Sequence, residues 1–110
     1  MKKRTYINVQ TLSLVECPYD SRYIALSYVW GRVPQLLLTS SNRDLLLKKG
    51  SLKKMEDGIP RVVRDAITAV RSLGETLLWV NCLCIVQDDD TEKHVMISEM
   101  ATVYDQALLP

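Results

Sequence analysis

The sequence predicts an α/β fold: three layers, with a mainly parallel sheet of the TIR or flavodoxin kind. Two apolar runs, Tyr23–Val29 and Leu77–Ile85, each break off into polar or Gly-containing sequence. Between them, Pro60–Gly74 carries apolar residues at helical spacing. Strand, helix and strand in that order form the unit from which parallel sheets are built. The two runs are expected side by side and pointing the same way, joined by a right-handed crossover through the helix.

The elements follow in order. Residues 4–15 alternate in part, with Tyr6, Val9, Leu12 and Leu14 among polar residues, and read as one or two short strands. Pro18-Tyr-Asp-Ser21 has turn chemistry. Tyr23–Val29 is rich in strand formers and is ended by Gly31 and Pro34. Residues 35–39 are a brief strand extension or a loop. Ser40 or Ser41 is placed to cap a helix through Lys49, stopped by Gly50. Lys53–Gly58 reads as a polar connector.

Pro60 suits a first helical position, because its missing N–H is not needed there. Val63, Ile67 and Val70 then make an apolar stripe opposite Arg61, Arg64, Asp65, Thr68 and Arg71, with Gly74 as a left-handed C-cap. Leu77–Ile85 does not alternate, as expected of a central strand covered on both faces. Asp90 or Thr91 caps a last helix to about Gln106, with Met96, Met100, Val103 and Ala107 as its core stripe. The chain ends at Leu108-Leu-Pro110, where a further strand would start. Two parallel strands leave an open edge, so residues 1–110 read as one domain, incomplete at its C-terminus.

Composition narrows the function. At 110 residues, 47% hydrophobic and 25% charged, the chain has the balance of a globular protein. A net charge of +1 argues against nucleic-acid binding driven by phosphate contacts. Lys2-Lys3-Arg4, the lysines at 48, 49, 53 and 54, and Asp88-Asp-Asp90 read as solvated surface. No stretch has the roughly 20 apolar residues of a membrane span, and the N-terminus lacks the apolar centre of a secretion signal. Three cysteines make no disulfide framework. Cys82 and Cys84, two apart on the expected strand, would face one way in poor disulfide geometry, and reduced thiols point to the cytoplasm.

No catalytic constellation stands out. Ser27 lacks the Gly-x-Ser-x-Gly setting of a nucleophile elbow. His94, the single histidine, lies on the last helix, and Glu92 and Glu99 form no acid–base pair. Cys17, Cys82, Cys84 and His94 have no zinc-site spacing. The three aspartates are accounted for by helix capping and the helix dipole.

Four ordered blocks nevertheless resemble one family. Tyr23-Ile-Ala-Leu-Ser-Tyr-Val-Trp-Gly31 looks like the opening word of the fungal heterokaryon-incompatibility (HET) domain. Ile59-Pro-Arg-Val-Val-Arg-Asp-Ala66 through Gly74 looks like its helix, and Leu78-Trp-Val-Asn-Cys-Leu-Cys-Ile-Val-Gln-Asp88 like its central strand and following turn. Met100-Ala-Thr-Val-Tyr-Asp-Gln-Ala107 looks like its next helix. The resemblance implies a TIR-like fold and a role in non-self recognition, in which activation by a protein partner or self-assembly triggers programmed cell death.

Some TIR domains cleave NAD. By that similarity Trp30, Gly31 and Arg32 after the first strand, and Asn81, Gln87 and Asp88 around the end of the second, would border a nucleotide site with NAD as substrate. Asn81 stands where the family usually has Asp, so an anionic role is lost. The glutamate used by TIR-like enzymes has its expected counterpart beyond Pro110, so the resemblance supplies no catalytic residue here. A generic nucleotide-binding α/β module is the remaining alternative.

Overall fold

The structure is a computed structural model and describes residues 3–26, 35–91, 94, 95 and 103. Its centre is a four-stranded sheet of β1 (Lys3–Asn8), β2 (Ser13–Pro18), β3 (Ile24–Ala25) and β4 (Leu77–Trp79), in the order β2-β1-β4-β3. The helices with both ends among the described residues are α1 (Arg43–Leu46), α2 (Ser51–Lys54), α3 (Arg61–Ser72) and α4 (Asn81–Cys84), with a 3-10 turn at Glu56–Gly58.

The expected pairing of the two apolar segments is present. β3 and β4 are parallel neighbours, with Ile24 opposite Leu78 and Ala25 opposite Trp79, and the Leu26 N–H reaches the Trp79 carbonyl at 2.9 Å. The expectation of a mainly parallel sheet is corrected: β1 runs antiparallel to both β2 and β4, so the sheet is mixed and mostly antiparallel. The cause is the N-terminal segment. It folds back on itself as a hairpin, and β1 then docks on the side of β4 that a further parallel strand would otherwise take.

The hairpin turn is built by Asn8, whose Oδ1 accepts from the Gln10 and Thr11 N–H groups at 2.9 and 3.1 Å. A short polar side chain satisfying the turn's own backbone is the usual chemistry of Asn at such a position. Leu12 closes the turn at a left-handed φ of 51°. Its N–H bonds to the Asn8 carbonyl and its own carbonyl accepts from Leu52, both at 2.9 Å. These bonds hold a conformation that costs a non-glycine residue about 1–2 kcal/mol.

α3 is the helix expected, shifted by a residue at its start. Pro60 is its N-cap, extended at ψ 146°, and its carbonyl accepts from Val63 and Arg64. Val63, Ile67 and Val70 are buried, each such burial contributing roughly 1.5–3 kcal/mol. At the other end Gly74 sits at φ 78°, while the Glu75 N–H reaches back to the Val70 carbonyl and the Gly74 N–H to that of Arg71. Arg71 donates to the Val9 carbonyl through Nε and Nη2 at 3.2 and 2.6 Å, tying α3 to the hairpin turn.

Other boundaries differ. The helix expected from Ser40 or Ser41 to Lys49 is only α1; its start is delayed to Arg43, where Asn42 spends its amide on the Thr39 N–H and the Leu37 carbonyl and turns the chain locally. Gly50, at φ 81°, separates α1 from α2, a helical turn that begins ahead of the expected polar connector and runs into it. The strand expected over Leu77–Ile85 stops at Trp79, and Asn81–Cys84 turn as α4, with the Cys84 N–H on the Val80 carbonyl at 2.9 Å. Full burial makes both strand and helix uniformly apolar, so periodicity does not separate them. Cys82 and Cys84 therefore lie on a helical turn and not on one face of a strand.

Asp90, Thr91, His94, Val95 and Val103 have helical backbone where the last helix was expected. Met96, Met100 and Leu108-Leu109 lie outside the described residues. No helix among the described residues is long and apolar enough to cross a membrane.

Candidate functional site

Beyond β4 the chain forms a short cross-braced loop. α4 turns it, Ile85 and Val86 bury, and Gln87 and Asp88 bring it back towards residues 35–40. The Leu38 N–H bonds to the Cys82 carbonyl at 2.9 Å, and the Gln87 N–H to the Leu38 carbonyl at 2.8 Å. The Gln87 side chain closes the loop from inside, with Nε2 donating to the Asn81 carbonyl, Asn81 Oδ1 and the Ile85 carbonyl at 3.0, 3.1 and 3.0 Å. Gln87 Oε1 is buried and has no hydrogen-bond partner among the described residues.

Asp88 faces the other way. Its carboxylate accepts from the Ser40 N–H and Oγ, each at 2.8 Å. Those two donors, the backbone one foremost, hold its pKa below the ordinary carboxylate value. Of the residues singled out in the sequence, the structure thus joins Asn81 directly to Gln87 and sets Asp88 next to them, bonded to Ser40. Trp30, Gly31 and Arg32 lie outside the described residues.

The chemistry available here is hydrogen bonding by neutral amides and one ionised carboxylate. The thiols nearby are passive: burial pushes Cys82 up to about 11 and raises Cys84 further, which removes the nucleophilic thiolate at neutral pH. His94 is exposed. Cys17, Cys82 and Cys84 are all free thiols. Among the described residues no group of three His, Cys, Asp or Glu is placed to hold a metal ion.

A second cluster was not foreseen. Arg4, read from the sequence as part of a solvated basic run, is only 3% exposed. Its guanidinium lies 4.3 Å from the Tyr19 ring centroid and 5.6 Å from that of Tyr23. Nη1 approaches the Tyr23 and Tyr6 hydroxyls at 3.2 and 3.4 Å. Tyr6 and Tyr23 pack with centroids 5.0 Å apart, and the Tyr23 hydroxyl donates to the Val103 carbonyl. Burial raises both phenol pKa values, against the opposing pull of Arg4. The signal was the alternation itself: Arg4 is in phase with buried Tyr6 on β1, a core-facing position for a strand residue.

The segment that carries the parallel β3–β4 pair, α3 and the braced strand-end loop falls within a match to a known family. The family model described as heterokaryon incompatibility protein (HET) matches residues 23–109, well over half of the chain. The chain belongs to the HET family. No curated protein and no solved structure matches it.

Proposed function

We propose that this chain is a HET-type signalling domain that acts in the fungal cytoplasm in non-self recognition, and that it promotes programmed cell death by assembling with a protein partner or with itself. The observation that carries the proposal is the family match across residues 23–109. The chemistry of the strand-end loop supports assembly over catalysis: its amides are spent on bracing the loop and its thiols are held protonated. In this reading the loops after β3 and β4, with Trp30, Gly31, Arg32, Asn81, Gln87 and Asp88, form the face that meets the partner or ligand.

Inducible expression of the chain in a filamentous fungus tests the proposal, scored by viability and by the sedimentation of the tagged protein in extracts. Loss of viability together with migration well above monomer mass is expected, and Asp88→Ala should weaken both. Full viability with a monomeric, well-expressed protein would contradict it. Nicotinamide release by the purified chain incubated with NAD would move the activity from assembly to catalysis.

A further inference from the structure

The cluster around Arg4 has a chemistry that the signalling role does not use. A guanidinium removed from water requires either an anionic partner or a full set of acceptors. Arg4 has neither among the described residues. No carboxylate pairs with it, and Nε is buried without a hydrogen-bond partner. Stacking on Tyr19 offsets part of the cost, but a ring face supplies no acceptor for the guanidinium N–H groups in its plane. The two phenol oxygens are long and neutral acceptors for one nitrogen.

Arg4 also lines a cavity of about 230 Å³, whose other charged lining residues, among those described, are Lys3, Arg43 and Glu16. Among the described lining residues, three cations against one carboxylate leave two positive charges in excess, and Arg43 already spends itself on Glu16 at 2.7 Å. Cys84 shares the wall as a neutral thiol. The volume is below the roughly 300–1,000 Å³ of sites for drug-sized ligands, so it suits one small, compact anion. A guanidinium fork beside an ammonium and a tyrosine ring matches a tetrahedral oxyanion better than a lone halide, because several oxygens accept at once.

We propose that the cavity between β1, β2 and α4 binds a phosphate group, with Arg4 as its principal ligand and Lys3 as a second cation. The bound group gives Arg4 the acceptors it lacks and neutralises the excess charge of the lining. The strand-end loop lends this site only Cys84 of α4 and none of its Asn81, Gln87 or Asp88 chemistry, so failure of the phosphate site leaves the signalling role standing.

The test is titration of the purified chain with inorganic phosphate at constant ionic strength, followed by calorimetry and by the Arg side-chain Nε signals in NMR. Acetate serves as the carboxylate control. Saturable binding that shifts the Arg4 Nε resonance is expected, with acetate weaker by about 10-fold or more and Arg4→Met weakening phosphate by about 10-fold or more. Should Arg4→Met fail to fold, the double variant Lys3→Ala/Arg43→Ala, which leaves the buried residue in place, is expected to weaken phosphate several-fold. Non-saturable, salt-like shifts in the wild type would overturn the proposal. Phosphate affinity unchanged in either variant would do so too, and acetate binding as tightly as phosphate would overturn the assignment to phosphate.

Discussion

Cys82 and Cys84 show how burial sets reactivity one residue at a time. With its pKa raised from 9.0 to about 11, Cys82 carries about 100-fold less thiolate at neutral pH than an exposed cysteine. Iodoacetamide labelling followed by mass spectrometry should therefore modify both thiols at least about 100-fold more slowly in the native chain than in urea; comparable rates would place them on the surface. Asn8 works through hydrogen bonds instead. Asn8→Ala removes the acceptor for two turn N–H groups and should cost about 1–2 kcal/mol in urea unfolding. An unchanged midpoint would show that the turn stands without it. At this scale the sequence is only partly legible: Asn81, Gln87 and Asp88 stand out in it and do meet around one loop, where their hydrogen bonds also brace the chain. Arg4 was hidden, because a Lys-Lys-Arg run has the appearance of surface until its phase with Tyr6 is taken into account.

Among the elements, α3 was the most readable, since its stripe of Val63, Ile67 and Val70 and its terminal glycine agree on one helix. Gly74 owes its place to backbone conformation alone. A Cβ there meets nothing within 4 Å, yet φ is +78°. Gly74→Ala should therefore destabilise by about 1 kcal/mol without disturbing packing, and a loss near zero would show that the left-handed cap is absent in solution. Val63→Ala, at a fully buried site, should cost about 1–3 kcal/mol. The region around α4 was misread for the opposite reason. Leu77–Ile85 is apolar but for Asn81, and only the tertiary setting, with Leu38 bonding to the Cys82 carbonyl, decides that the chain turns after Trp79.

For the whole molecule, the strand–helix–strand order carried the β3–β4 pairing correctly, whereas nothing in it said where the N-terminal strands would dock. Hairpin pairing depends on a short turn and a sheet side left open, and neither leaves a long-range mark in sequence. The buried ionisable groups act together on stability. Thiols whose folded pKa lies above the unfolded 9.0 contribute stability that is intact below pH 9 and is lost as pH rises, because the unfolded chain ionises first. Urea unfolding should weaken above pH 9 by about 1.4 kcal/mol per pH unit for each protonated thiol. The raised pKa values of Tyr6 and Tyr23 should steepen the loss above pH 10. A Cys82→Ala/Cys84→Ala variant should show a shallower decline.

The architecture itself rests on β4 lying between an antiparallel β1 and a parallel β3. Backbone NOE spectroscopy of the labelled chain tests this directly. The expected result is cross-strand contacts from Leu78 to both Ile7 and Ile24, with the Leu26 amide protected from exchange by its bond to Trp79. Contacts showing β3 antiparallel to β4, or no contact between them, would contradict the fold on which the strand-end loop depends.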